Sequence, residues 1–400
     1  MALLLQPPLS PEERLEKRKL IVRDVIALLS LFAVTILLAT LTYFLFHSFS
    51  SHRQELAQRW LARGRAAVAS KHPEQAVNAF RSALEYQPGQ RQTEVELASA
   101  LAAAGHDQEA AAYFATLLEA EPGNGLINLE LARLAAKQGN ESAAVESYER
   151  ALDGTWQGDG YLRRLAVRLE LTRYLLSQHD YARARTQLLI ASGNAPDEPK
   201  VKLEIAGLME QARDQSSAFE IYRKLAQRHY DRASELELQA LEGAGRTAEA
   251  LGRYPMVRQH LERALSHPAF ENQPEPERQA VRSSLSDATR LLELYPSPDL
   301  SVRERATRIL HNVQTARARF TSCTAGKVTA QSDLANRWQQ FPPNLTLQTL
   351  ARNPQLEQQL MTLVYDTEKL TLTLCGNPIG DDALLLKMAQ IPGEWGQAQP

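Results

Sequence analysis

A spacing of 34 residues recurs through the middle of this 400-residue chain and limits its fold more than any other feature. One column at this spacing holds alanine, and a second column holds an aromatic residue. The two columns are Ala76, Ala110 and Ala144, and Phe80, Phe114 and Tyr148. The same spacing relates two further sets, Pro88 with Pro122, and Lys71 with Gly105 and Gly139. Chance would rarely align four columns, and a period of this length indicates stacked repeats.

The period and the residue types resemble the tetratricopeptide repeat, a helix–turn–helix unit. The resemblance covers residues 57–271 and gives six units, which are 57–90, 91–124, 125–158, 165–198, 199–232 and a degenerate one at about 238–271. No unit can bury its apolar face alone, so the resemblance implies an all-α solenoid with one continuous core. The residues expected to define that core are Trp60, Ala76, Phe80, Pro88, Ala110, Phe114, Pro122, Ala144, Tyr148, Ala184, Ala218 and Tyr222.

An uncharged apolar run, Val25–Phe46, precedes the repeats. Its 22 residues would span about 33 Å as a helix, which is enough to cross a hydrocarbon core of about 30 Å. A cleaved signal peptide would need a shorter apolar run and a small-residue cleavage site, and HSFSSH fits that site poorly. We therefore expect one transmembrane helix at 25–46, after a short N-terminal segment at 1–24.

Positive charges flank this run on both sides. The cations before it are Arg14, Lys17, Arg18, Lys19 and Arg23, and those after it are Arg53, Arg59, Arg63 and Arg65. The first group is nearer and denser, and cytoplasmic flanks carry the excess of Lys and Arg. The pattern predicts a cytoplasmic N-terminus and an extracytoplasmic C-terminal body.

The C-terminal third is helical but does not follow the repeat. We divide it into a capping helix and linker at 272–299, a helical module at 300–390 and a polar tail at 391–400. Two apolar stripes at helical spacing support the module: one runs from Val302 to Cys323 and the other from Leu356 to Leu374. A terminal solenoid cap and a partner-binding or dimerisation module both fit this pattern.

The two cysteines, Cys323 and Cys375, each end a predicted helix of this module. If the chain between them runs back, the helices are parallel and their C-terminal ends lie at one level. That layout permits a disulfide, and an extracytoplasmic location favours its oxidation. Two unrelated buried thiols are the alternative.

Polar residues on the first helices of the central units are candidates for a binding groove. By resemblance alone, they are Arg133, Lys137, Glu170 and Arg173, with Leu129, Leu169 and Leu203 beside them. Some family members clamp the C-terminal carboxylate of heat-shock chaperones, but the clamp positions hold Leu61, Arg65 and Glu96 here, so that clamp is absent. The mixture favours a partly apolar helix or loop as ligand.

No catalytic or cofactor pattern accompanies these features. The sequence has no HExxH, CxxC, GxxxxGK[ST] or GxSxG motif, and 45 Lys and Arg against 47 Asp and Glu argue against nucleic-acid binding. We expect no enzyme activity, cofactor, metal or small-molecule substrate. The acidic residues of the module (Asp333, Asp366, Glu368, Asp381 and Asp382) and the five arginines between 301 and 323 are interpreted as solvated.

The sequence thus predicts a single-pass membrane scaffold that binds partner proteins outside the cytoplasm. Envelope assembly, secretion and a polysaccharide or pilus machine are roles that fit this layout. The alternative is a regulatory or accessory subunit of a membrane enzyme, with its body in the cytoplasm.

Overall fold

A computed structural model describes residues 11–228, 230, 234–325, 332–341 and 344–390. Residues 1–10 and the predicted tail 391–400 lie outside the described residues. The described chain is helical, and its only β-type pairing is an isolated parallel bridge between Asn124 and Thr155. The all-α solenoid prediction is confirmed.

The chain divides into two compact units, Met1–Gly160 and Tyr161–Pro400. The helices up to the boundary are α1 Pro11–Ala69, α2 Pro73–Tyr86, α3 Arg91–Ala104, α4 Asp107–Ala120, α5 Gly125–Lys137 and α6 Glu141–Asp153. Next come α7 Gly160–Ser177, α8 Tyr181–Asn194, α9 Pro199–Gln211, α10 Gln215–Ala226, α11 Glu235–Ala250 and α12 Tyr254–Leu265. The last six are α13 Glu275–Leu294, α14 Val302–Thr324, α15 Ser332–Gln339, α16 Leu347–Ala351, α17 Pro354–Cys375 and α18 Asp381–Gln390.

Helix α1 runs without a break for 59 residues, from the N-terminal segment through the apolar run into the first repeat. The stretch 47–56, which the sequence analysis leaves unassigned, contains no Gly or Pro, so nothing there ends the helix. Part of α1 is long and apolar enough to cross a membrane, and none of that apolar part is buried.

Each of the six units turns from its first helix to its second through one residue in the left-handed region. These residues are Lys71, Gly105, Gly139, His179, Arg213 and Gly252. The amide of the next residue donates to a carbonyl five positions back in every case, for example His72 N to Ala67 O at 2.9 Å and Arg253 N to Ala248 O at 2.8 Å. This is the Schellman arrangement, which satisfies carbonyls at a helix end. The same turn therefore joins the two helices of every unit.

The core is built from the columns that the period predicts. The alanines at 76, 110, 144, 184 and 218 are fully buried, and Phe80, Phe114, Tyr148 and Tyr222 are at most 4% exposed. Some of the aromatic rings lie so close to a first helix that only glycine fits beside them. A Cβ on Gly64 would lie 2.5 Å from the Phe80 ring, and one on Gly243 would lie 2.5 Å from the Tyr222 ring. An aromatic residue of the second helix therefore fills the space that glycine leaves on a first helix.

Three of the residues predicted to define the core are not buried. Pro88 and Pro122 are exposed, and Trp60 is half-buried under the Arg63 guanidinium, which lies 5.3 Å from its ring centroid. The prolines lie two residues after α2 and α4 end, so they contribute by stopping a helix, and this role does not require burial. Trp156 takes the proline position of the third unit, lies against Gly125 and donates its indole N–H to Ala151 O at 2.9 Å.

Helices α14 and α17 form the centre of the C-terminal module (300–390) and run parallel with a constant offset of 52 residues. Arg305 Nε donates to Glu357 Oε2 at 2.8 Å near their starts. Arg319 Nε donates to Thr371 Oγ1 at 2.9 Å farther along. The structure joins Cys323 to Cys375 in a disulfide at their ends, with Cα atoms 5.8 Å apart.

The interpretation of the arginines of α14 as a solvated face is wrong for four of the five. Besides the bonds of Arg305 and Arg319, Arg308 donates to Tyr295 O at 2.8 Å, and Arg317 lies over the Trp338 ring at 4.9 Å. Only Arg303 among them is exposed. Carbonyls and carboxylates of neighbouring helices meet these guanidinium groups, which is the arrangement that buried charge requires. Charge alone in the sequence could not show this, because helical spacing places arginines on both sides of an apolar stripe.

Candidate protein-binding groove

A cavity of about 670 Å³ opens on the first helices of the first three repeats. We call it the groove cavity. Val68, near the end of α1, lines it with Val95 and Ala100 of α3, and with Leu126 of α5. Val95 and Ala100 are buried, whereas Val68 leaves 53% of its surface exposed. An apolar wall that is partly open to solvent is the usual form of a binding site for apolar side chains.

An ion pair lies at the polar edge of the groove cavity. Arg65 and Glu96 both line it, and the Arg65 guanidinium makes two bonds to the Glu96 carboxylate, at 3.0 and 2.8 Å. Hydrogen bonding to Glu96 raises the pKa of Arg65, so the guanidinium stays charged at physiological pH. Lys71, an exposed residue of the first turn, is a further cation of the lining, and the rest of the lining is mostly apolar.

The four predicted groove residues are all engaged within the chain. Arg133 Nη1 lies 2.8 Å from Glu130 Oε1, and Lys137 Nζ lies 2.7 Å from Asp107 Oδ1 and 3.1 Å from Ala102 O. Arg173 pairs with Glu204, and Glu170 also has a partner. None of the four lines the groove cavity. Their place in a binding site stays a prediction.

One ion-pair pattern repeats between neighbouring units. Arg65 and Glu96 are 31 residues apart, and so are Arg173 and Glu204. In each pair the arginine is the ninth residue of its unit and the glutamate is the sixth residue of the next. These groups therefore help to set the repeat stacking, and exposed pairs of this kind stabilise by less than about 1 kcal/mol each. The sequence contains this signal as an Arg-to-Glu spacing, but the groove prediction did not use it.

The leucines expected beside the polar residues are only partly available. Leu129 and Leu169 are buried in the core, and Leu203 is half-buried against the cluster around Phe270. None of the three lines the groove cavity, and their place beside a binding groove stays a prediction. Val68, Val95 and Leu126 are the apolar groove residues that the sequence analysis missed.

A second unforeseen site lies in the C-terminal module, where Glu368 of α17 is fully buried. Arg319 Nε is 3.4 Å from Glu368 Oε2, and Asp382 of α18 faces the same carboxyl. Burial, with the neighbouring Asp382, raises the pKa of Glu368. One arginine cannot neutralise two carboxylates, and two ionised carboxyl groups side by side repel each other. The cluster is therefore neutral when it holds one proton, and the interpretation of Glu368 as solvated is wrong.

Helix α18 is tied down by three further charges. Arg290 donates two bonds to Asp381, at 2.9 and 2.7 Å, and His311 Nε2 lies 2.8 Å from the same carboxylate. The bond from Arg290 contributes most to the lowered pKa of Asp381, which is about 2. Lys387 lies 3.2 Å from Glu249 and 3.3 Å from Asp287. Across the described residues, no cluster of three or more His, Cys, Asp or Glu side chains could hold a metal ion.

The family model for the tetratricopeptide repeat matches residues 61–125, 95–159 and 169–231. Each range begins four residues into a unit of the 34-residue period and spans about two units. The chain is a tetratricopeptide repeat protein. No curated protein matches the sequence.

Solved structures of several repeat proteins are similar to the chain at low identity. PilF of Pseudomonas aeruginosa is 19% identical over 58% of this chain and 99% of its own, with a TM-score of 0.40. PilW, a type IV pilus biogenesis factor, is 17% identical over 58% of this chain and 97% of its own, with a TM-score of 0.38. The Naa15/Naa10 complex bound to HypK gives 15% identity over 84% of this chain and 54% of that one, with a TM-score of 0.39. These likenesses are too distant to bear on function.

Proposed function

We propose that this tetratricopeptide repeat protein is a single-pass membrane scaffold that holds a partner protein in its groove cavity. The observation that carries the proposal is the groove cavity itself, whose apolar wall includes the exposed Val68. A scaffold needs such a surface and no catalytic group. The occupant we propose is a segment that presents apolar side chains, because most of the lining is apolar and the Arg65 and Glu96 charges bind each other.

Helix α1 places the groove cavity at a fixed distance from the proposed transmembrane segment. Phe46 and Arg65 belong to one unbroken helix, and 19 residues at 1.5 Å each separate them by about 29 Å. A flexible linker would let the repeats sample many heights, whereas a helix holds them at one. We therefore propose that the partner presents its apolar segment within about 30 Å of the membrane, as a membrane-attached protein would.

The proposed location of the body is extracytoplasmic. The five cations before the apolar run and the four after it support this orientation, since the excess lies on the N-terminal side. Envelope assembly, secretion and pilus or polysaccharide machinery are the proposed settings. In the alternative, the repeats would face the cytoplasm and regulate a membrane enzyme, and the two cysteines would then remain reduced.

Site-specific photocrosslinking in intact membranes tests the groove. A photoreactive residue would replace Val68 in one variant and Leu189 in the other, because Leu189 of α8 is also apolar and 69% exposed but does not line the groove cavity. We expect a discrete protein adduct from position 68 and none from position 189. Absence of an adduct at 68, or the same adducts from both positions, would contradict a specific groove.

A further inference from the structure

A smaller cavity of about 250 Å³ lies between the end of α8, the first half of α9 and the end of α10. Its floor is apolar, with Ile205 and Leu225 almost fully buried and Ile221 half-buried. Its polar side is cationic. The side chains there are Lys202, Lys224 and Arg228, with Ser192 beside them. None of these residues lines the groove cavity.

Two of the three cations converge on a single carboxylate oxygen. Lys202 Nζ and Arg228 Nη2 both donate to Asp197 Oδ1. The bond from Lys202, followed by the bond from Arg228, lowers the pKa of Asp197, so this carboxyl is ionised at neutral pH. The geometry around this oxygen is therefore suited to a carboxylate.

The carboxylate that occupies this position is held loosely by the fold. Asp197 belongs to the connection between α8 and α9, and its side chain is 71% exposed. An exposed ion pair contributes little to stability, because water screens it and ordering the side chains costs entropy. Replacing Asp197 by another carboxylate would thus cost the folded chain little.

Charge and polarity together define what could replace it. Three cations line the cavity, and two of them, Lys202 and Arg228, bond Asp197. Lys224 has no ion-pair partner within the described part of the chain, so it is available to an anion that enters the cavity. The apolar floor favours a ligand that also buries hydrocarbon. A small inorganic ion would leave that floor without a partner.

We propose that this cavity binds an organic carboxylate, with the carboxylate in the place of Asp197 and a short aliphatic body over Ile205 and Leu225. Asp197 is then an internal stand-in for the ligand. A free short-chain acid and the C-terminal residue of a polypeptide offer the same chemistry. The cavity volume limits the aliphatic body to about the size of one side chain.

Calorimetric titration of the full chain in lipid nanodiscs tests the ligand class with hexanoate as the probe. We expect saturable binding of hexanoate, at least tenfold weaker binding of acetate, which lacks the apolar body, and at least tenfold weaker binding of hexanol, which lacks the charge. A peptide ending in a free leucine carboxylate, compared with its C-terminal amide, separates the two sources. Tighter binding of the free-acid peptide than of hexanoate assigns the site to a polypeptide end, and weaker binding assigns it to a free acid. No saturable binding of either probe overturns the proposal.

Two substitutions are expected to change the affinity for hexanoate in opposite directions. Lys224→Gln should weaken hexanoate binding at least fivefold, while Asp197→Ala should strengthen it several-fold, because the internal competitor is removed. Lys200→Gln is the matched control, since Lys200 is an exposed cation of the same helix that does not line the cavity. Thermal unfolding of each variant checks the fold. Weaker or unchanged binding in Asp197→Ala, or unchanged binding in Lys224→Gln, overturns the stand-in role.

Discussion

In the repeats, the side chains that meet in the core are alanine, leucine and aromatic residues spaced by 34 positions. In the C-terminal module, charged residues 52 positions apart meet across two parallel helices and a disulfide closes their ends. The first region needs only its neighbours along the chain, as repeat arrays do. The second region depends on a few contacts between residues far apart in the sequence, each of which stabilises it strongly. A change should therefore stay local in the repeats and spread through the module.

The largest effect is expected from the repeat core. Phe114→Ala removes a fully buried ring and should lower the free energy of unfolding by about 3–5 kcal/mol. Chemical denaturation of the detergent-solubilised chain, followed by circular dichroism, measures the change. Leu189→Ala is the control and should shift stability by less than about 0.5 kcal/mol. A loss below about 1 kcal/mol for Phe114→Ala would show that the stacked core is not what holds the repeats.

Loss of the disulfide should loosen the C-terminal module and leave the first repeats unchanged. Closing a loop of 52 residues corresponds to about 4 kcal/mol in the chain-entropy account. We expect faster amide exchange in α14, α17 and α18 in the Cys323→Ser and Cys375→Ser variants, with protection in α2–α4 unaltered. Mass spectrometry of the native protein under denaturing, non-reducing conditions gives the thiol count. Free thiols at both positions would contradict the bond.

The buried acid pair predicts a pH dependence of the C-terminal module. The pKa of Glu368 is raised by burial, so the folded module binds this proton more tightly than the unfolded chain does. Its stabilising contribution is complete at low pH and is lost as pH rises through the raised pKa. Amide exchange of α18, corrected for its intrinsic rate, should therefore accelerate on the alkaline side.

Glu368→Gln is the decisive variant for this dependence. It removes the titrating group and keeps the shape, so α18 should become insensitive to alkaline pH. Asp366→Asn removes a partly exposed acid of the same helix and should leave the dependence in place. The contribution of Asp381 to stability depends on pH in the opposite direction. Its pKa is lowered to about 2, so its contribution is present above the ordinary carboxyl range and is lost as pH falls toward 2. If amide exchange of α18 in the parent protein did not change on the alkaline side, the result would contradict the raised pKa of Glu368.

The smallest effect is expected at the turns. Lys71 has a φ of 59°, a conformation that costs an ordinary residue about 1 kcal/mol and glycine almost nothing. Lys71→Gly should therefore stabilise the chain by up to about 1 kcal/mol, whereas Gly139→Ala should destabilise it by a similar amount. Thermal unfolding at fixed pH compares them. The same sign for both variants would show that the turn conformation is not the source of the effect.

The difference between the regions also explains what the sequence could predict. Periodic columns reveal a repeat, so the buried positions of Ala76 and Phe80 follow from spacing alone. Pro88 belongs to the same pattern but is exposed, because spacing does not separate a helix stop from a core residue. Glu368 was misjudged because its burial depends on Arg319 and Asp382, which lie 49 and 14 residues away. Only folding brings those three groups together.

The residues that line the groove cavity differ from those that the sequence suggests for a groove, whose place in a binding site stays a prediction. First-helix positions line it, yet Arg133 and Lys137 bond within the chain while Val68 and Val95 face the cavity. The angle of each helix against its neighbours decides this. That angle depends on packing at glycines such as Gly64, where the Phe80 ring lies, and no single-residue pattern encodes it.

Protease protection most directly tests whether α1 carries the repeats to the extracytoplasmic side. Membrane vesicles of known sidedness would contain the full chain with a C-terminal tag and would be treated before and after permeabilisation. In vesicles whose lumen corresponds to the extracytoplasmic space, the tag should survive protease until the membrane is opened. Digestion of the tag in sealed vesicles would place the repeats in the cytoplasm and contradict the proposed scaffold.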